Sequence, residues 1–233
     1  PAMILQLRRA CMLLVSDLLA LEQTILAKAR EHRWTLMIAR THGQYAEPDT
    51  FGRLLLVYFE AVHRSTLRLQ HVLATELSEG KISGAVGTYA GMDPEIETDA
   101  LALLVLRPAR AETQILQRDR HAAVLSVLAI AAATVEQICR TLWEMARSDV
   151  GEVSEPRSSR QRGSSAMAHK RNPITLEQLQ GMARLLRGHA LAAIESIATP
   201  EGRDIAQSSV ERHIFPDATG LLHYMLIKME KMI

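Results

Sequence analysis

The chain has 233 residues, of which 48% are hydrophobic, 23% charged and 4% aromatic. Its formal net charge of +1 supplies no broad field for nucleic acid, and the low aromatic share with abundant Leu, Ala and Met suits helix-on-helix packing better than a sheet. Cys11 and Cys139 lie far apart inside helical patterns and are expected as buried free thiols. The apolar stretch Ala122 to Ile130, broken by Ser126, is short for a bilayer span and no secretory signal is visible, so a cytoplasmic protein without a membrane or nucleic-acid partner is expected.

The first predicted element is a long helix. Ile4, Leu7, Cys11, Leu14, Leu18, Leu21, Ile25 and Ala29 recur by threes and fours and draw one apolar seam along it, ending near Glu31. His32 to Gln44 reads as a connection containing the short apolar run Leu36 to Ala39. Pro48 then stands where a helix could start, with Asp49 as its cap. Phe51, Leu55, Tyr58, Val62, Thr66, Leu69, Leu73 and Leu77 repeat the helical spacing.

Gly80 to Gly91 is a glycine-bearing break, and a short helix is predicted over Pro94 to Leu106, stopped by Pro108. The third long helix, about Arg118 to Ser148, carries Val124, Leu125, Val127, Leu128, Ile130, Val135, Ile138 and Leu142 and is apolar on nearly every side. Such a helix must be surrounded by others, which predicts burial between subunits. Helices over Pro173 to about Ala198 and from about Ser208 to the end complete an all-α, elongated bundle of long antiparallel helices. The chain starts and stops inside helical patterns, and both ends read as cuts through a longer protein.

Chemistry concentrates between Gly163 and Pro173. No acidic residue separates Glu155 from Glu177, while Arg157, Arg160, Arg162, Lys170 and Arg171 are basic. Serine pairs and Gly163 add backbone N–H groups, so the segment can close over an anion. A solvated linker would have the same composition; the residue order separates the two readings.

Gly163-Ser164-Ser165, Met167, Lys170 and Asn172-Pro173 together resemble the signature loop of the fumarase/aspartase superfamily, whose members release fumarate from a succinyl group. His169 to Ile174 is most similar to the adenylosuccinate lyase branch, with Ala168 in place of its usual proline. Further segments carry the same resemblance: Arg40 to Gln44 with Ala46-Glu47-Pro48, Lys81 to Ala90, Gln117 to His121, and Ser208 to Arg212 with Phe215-Pro216-Asp217.

The resemblance implies roles. Fumarate elimination needs a base for the proton beside a carboxylate and an acid for the departing nitrogen. Ser164 matches the base, its alkoxide stabilised by loop N–H groups and Lys170. His42 matches the acid, and an unperturbed imidazole can give and recover a proton near neutrality. Lys170 would hold a substrate carboxylate and Asn172 would add a hydrogen bond, although Asn172-Pro173 is equally a helix N-cap and first-turn pair. Gln114, Arg203, Ser208 and Arg212 match positions that bind the substrate's polar and phosphate portions. Ser208 with Glu211 also reads as a capping box. Arg118 and Arg120 beside Asp119 read as a structural ion-pair cluster.

The resemblance further implies a homotetramer whose four copies share one helical core and whose sites each draw on three chains. The substrate would be an adenylosuccinate-like nucleotide, with no metal or organic cofactor. Residues 1–233 would be the central helical domain, inactive alone, with terminal domains missing. Tyr45, Gln207 and Thr199-Pro200-Glu201-Gly202 depart from the pattern. Argininosuccinate lyase, carboxymuconate cycloisomerase or a non-catalytic helical oligomerisation module are the alternative readings.

Overall fold

Helix α1 (Ala2–Glu31) buries the predicted seam in full, from Ile4 to Ala29. The computed structural model describes residues 1–156, 167 and 169–233. At ~1.5 Å per residue, α1 is roughly 45 Å long. Its partner α2 (Phe51–Ala74) returns alongside it, with Leu55, Tyr58, Val62 and Leu69 buried. The two helices approach so closely at their junction that a Cβ on Gly52 would lie 2.4 Å from the Ala29 carbonyl oxygen.

The predicted connection between them is a β-hairpin, β1 (Leu36–Thr41) with β2 (Gln44–Thr50). Leu36 to Ala39 shows no period-two alternation, which hides the strand. Pro48 does not open a helix but pairs with Ile38 inside β2, where an edge strand tolerates its missing N–H. Thr50, not Asp49, caps α2: its hydroxyl accepts from Arg53 N at 3.2 Å, while the Asp49 carboxylate accepts from the Arg53 guanidinium.

Beyond α2, the parallel bridges β3 (Glu79–Gly80) and β4 (Arg107–Pro108) flank α3 (Pro94–Ala102). Helix α3 stops earlier than predicted. Val105 takes a left-handed φ of 56° and Leu106 N donates to Leu101 O at 2.9 Å, a Schellman-type ending that acts before Pro108 is reached. The glycine-bearing break is tied down by Glu97, which is buried and accepts from Ile82 N and the Tyr89 hydroxyl.

Helix α4 (Asp119–Met145) is the axis of the bundle. It packs on α2, α5 (Ile174–Glu195) and α6 (Ala206–Met232), and Leu125, Leu128, Val135 and Ile138 are buried within this single chain. Three helices of its own chain thus already supply much of the burial that was expected between subunits, while Ile130 on α4 stays exposed. By length and hydropathy alone α1 and α4 could each cross a membrane, but their apolar seams are spent on neighbouring helices. Outward-facing apolar side chains include Ile130 on α4, Met12 and Leu13 on α1, Leu56 and Val57 on α2, and Leu185 and Leu191 on α5. Cys11 and Cys139 are buried free thiols, each pushed up to about 12 by burial.

Candidate active site

The bundle has two ends, and the candidate residues divide between them. At one end the hairpin tip is a two-residue turn, His42 (φ 56°) and Gly43 (φ 74°), joining Thr41 to Gln44. Both central residues of such a turn need positive φ, a conformation that His adopts more readily than bulkier residues. His42 is exposed at this tip. Arg40, two residues earlier, lies 5.3 Å from the Tyr45 ring centroid and grips Glu152 with both guanidinium nitrogens, at 2.9 and 2.7 Å. A groove of about 980 Å³ runs between the hairpin and the last turns of α4, edged by Arg40, Gln44, Arg140 and Glu144. A separate cavity of about 400 Å³ at this end is mostly apolar and none of the candidate residues lines it.

Lys170 and Asn172 lie at the same end, just before α5. Lys170 is exposed, its amide donating to Met167 O at 3.1 Å in a turn. Asn172 is not the N-cap of α5. Pro173 holds that position without a side-chain cap, and the carboxylate of Glu155 supplies the acceptors instead, taking Thr175 N at 3.1 and 3.0 Å and the Thr175 hydroxyl at 2.5 Å. An anion at a helix N-terminus meets unpaired N–H groups and the positive end of the dipole, so the substitution is chemically sound. Ser164 and Ala168 lie outside the described residues.

The other four candidates meet at the far end. Arg203 Nη1 donates to Gln114 Oε1 at 3.4 Å, and Thr113 Oγ1 donates to Gly202 O at 2.8 Å, so the Gln114 and Arg203 segments are laced together. The departing sequence Pro200–Gly202 forms a 3-10 turn with Glu201 at φ 49° and Gly202 at φ 90°. Ser208 and Arg212 edge a groove of about 610 Å³ between the start of α1 and α6. No capping box forms: α6 already begins at Ala206, and Ser208 Oγ donates to Ile205 O at 3.3 Å. Glu211 points inward instead, where Arg118 Nε meets it at 2.6 Å. Burial raises the Glu211 carboxyl against the opposing pull of Arg118.

The ion-pair cluster around Arg118 and Arg120 exists with different partners from the one expected. Arg118 pairs with Glu211, and Arg120 with Glu79 at 2.6 Å, while Asp119 is exposed. Sequence reasoning gave no role to His121, which is buried against Phe215 with neither ring nitrogen hydrogen-bonded; burial first, then Arg118, pushes it down to about 3. The signal was available, since His121 shares a helix face with Val124 and Leu125. Gln207 is also buried there, its amide unpartnered.

The two groups sit at opposite ends of α4, whose 27 residues span roughly 40 Å. One copy of the chain thus brings His42, Lys170 and Asn172 to one end and Gln114, Arg203, Ser208 and Arg212 to the other.

Comparison with known proteins agrees with the motif pattern. A family model described as lyase matches residues 1–188. The chain is 49% identical over 225 residues to the adenylosuccinate lyase of Synechocystis sp., covering 97% of this chain and 52% of that protein. It is 48% identical over 199 residues to the adenylosuccinate lyase of Thermotoga maritima, covering 85% and 46%. The chain spans about half the length of the curated relatives it matches. Among solved structures, 3-carboxy-cis,cis-muconate lactonizing enzyme from Pseudomonas putida superposes with a TM-score of 0.87 at 29% identity, over 99% of this chain and 52% of that one. The helical bundle, the signature segments and these relatives lead to one placement: the chain belongs to the lyase family of the fumarase/aspartase superfamily, on its adenylosuccinate lyase branch.

Proposed function

We propose that the protein containing this chain is a cytoplasmic adenylosuccinate lyase, and that residues 1–233 are its central helical domain. The reaction is non-hydrolytic cleavage of a C–N bond. The proton beside a succinyl carboxylate passes to the Ser164 alkoxide, and Lys170 and Asn172 hold the carboxylate as carbanion charge grows. The C–N electron pair then leaves with nitrogen, which takes a proton from His42. Adenylosuccinate yields AMP and fumarate; the succinylated aminoimidazole carboxamide ribotide yields its amine and fumarate. Gln114, Arg203, Ser208 and Arg212 bind the nucleotide, the arginines by forks suited to phosphate oxygens.

The observation that carries this reading is 49% identity to an adenylosuccinate lyase along 97% of the chain. The lactonizing enzyme, at 29%, stands further off. The division of the candidates between two ends supports a homotetramer with shared sites, in which the hairpin end of one copy meets the Arg212 end of another. The outward apolar faces of α1, α2 and α5 support the same assembly. Ultraviolet absorbance on mixing the full-length protein with adenylosuccinate is the test. Loss of substrate with release of fumarate is expected; an enzyme inert to it but active on argininosuccinate or a carboxymuconate would overturn the choice.

A further inference from the structure

Among the described residues the hairpin that carries His42 is a two-stranded sheet paired only to itself, and Leu36 and Tyr45 on it are 81% and 77% exposed. An isolated hairpin is marginal in water, so its tip holds a fixed place only if something outside grips it. A ladder irregularity between Ile38 and Arg40 interrupts the pairing just below the tip.

Arg40 supplies the grip. It stands directly opposite Tyr45, next to the Thr41–Gln44 pair that closes on His42 and Gly43. Its Nη1 and Nη2 donate to Glu152 Oε2 and Oε1 at 2.9 and 2.7 Å, across 112 residues of sequence, and its guanidinium lies over the Tyr45 ring. Glu152 is itself mounted on the bundle's axis, because its amide donates to Met145 O, the last residue of α4, at 2.9 Å. Both side chains are about three-quarters covered, at 26% and 25% exposure. The Arg40 hydrogen bonds hold the Glu152 carboxyl below the usual carboxylate range, which keeps the pair ionised at neutral pH.

We propose that Arg40 is a positioning residue: through Glu152 it locks the hairpin to the end of α4 and so sets where the His42 imidazole reaches. The inference rests on the reading of His42 as the proton donor. A fork of two parallel N–H···O bonds fixes direction as well as distance, which a single point contact would not. Lysine at this position would keep the charge and lose the fork.

The test uses the full-length enzyme and four variants: Arg40→Gln, Glu152→Gln, Arg40→Lys, and the exchange Arg40→Glu with Glu152→Arg. Each single change to Gln should lower kcat by about 10–100-fold, the scale of a ~1 Å misplacement of a reacting group, with KM held within about twofold. Amide hydrogen exchange at Thr41 to Gln44 should quicken in both singles, while the melting temperature stays close to wild type. The exchanged pair should recover most of the turnover and the protection, and Arg40→Lys should fall between. Singles with wild-type turnover overturn the proposal, as do singles whose loss the exchanged pair leaves unrestored. Should either Gln variant fail to fold, Arg40→Lys decides through the same turnover and exchange readings. A wild-type enzyme inert to adenylosuccinate would sink the lyase reading instead, and hairpin exchange would still judge the Arg40 lock separately.

Discussion

Glu155 and Thr175, twenty residues apart, are joined by three hydrogen bonds from the amide and hydroxyl of Thr175 to the Glu155 carboxylate. The segment leaving α4 is thereby pinned to the start of α5, with Glu152 of the same segment reaching the hairpin. Two carboxylates three residues apart thus tie together the elements that carry His42 and Lys170.

The cap should be measurable as stability. Removing an N-cap acceptor costs about 0.5–2 kcal/mol, so Glu155→Ala should lower unfolding free energy by roughly 1–2 kcal/mol, and Thr175→Ala by less. Denaturant titration reads the loss. Hydrogen exchange should place it in the first turn of α5; unchanged protection there would remove Glu155 from that role.

Leu128 tests where α4 is buried. It has no exposed surface within one chain, so Leu128→Ala should cost about 3–5 kcal/mol whatever the oligomeric state. Leu128→Asp should unfold the subunit, because an unpaired buried charge costs at least as much. Recovery of a folded monomer of Leu128→Asp by sedimentation would return α4 to an interface between copies.

These two sites also mark what the sequence made legible. The α1 seam from Ile4 to Ala29 was readable because every member serves one face of one long helix. The hairpin was not: Leu36 to Ala39 lacks alternation, and Pro48 mimics a helix start. The cap of α5 was invisible for another reason, since Glu155 is remote in sequence while Asn172 and Pro173 form a persuasive local signal. Helix α4 was readable as enclosed, and much of that enclosure comes from its own chain, because periodicity shows that a face is covered and not by what. For the site, motifs named the residue types, but which end of the bundle holds each one depends on helix direction. Only the fold separates His42 from Arg212.

His121 sets an acid limit on stability. Its folded value of about 3 lies below the ordinary 6.5, so the folded state keeps it neutral where the unfolded state takes a proton. Stability contributed by the neutral ring is fully present above the unfolded value and declines as pH falls from 6.5 towards 3. The decline is on the order of 1.4 kcal/mol for each pH unit. His121→Leu removes that proton uptake and relieves two unpartnered nitrogens. Urea unfolding at pH 7.5 and 5.0 should therefore show a smaller pH difference in the variant, and an equal difference would mean that His121 is protonated in the fold.

The division of the site gives the last prediction. In the full-length protein His42→Ala should cut turnover, since an amine anion leaves badly without a proton, and general acid catalysis is worth about 10²–10⁴. Ser164→Ala should do the same by removing the base. Arg212→Ala should mainly raise KM, because a phosphate fork binds ground state and transition state alike. His42 and Arg212 stand at opposite ends of one chain, so a shared site must draw them from different copies. Mixing His42→Ala with Arg212→Ala subunits should then create sites in which both residues are intact. With random assembly of a symmetric oligomer, about a quarter of the sites would be restored. Pairing Ser164→Ala with His42→Ala applies the same logic to acid and base. Native mass spectrometry must show mixed tetramers, and turnover at subsaturating substrate must exceed that of both parents. Mixed tetramers no more active than their parents would mean that each chain builds its own site, and the roles given to His42 and Arg212 would fall with the shared arrangement.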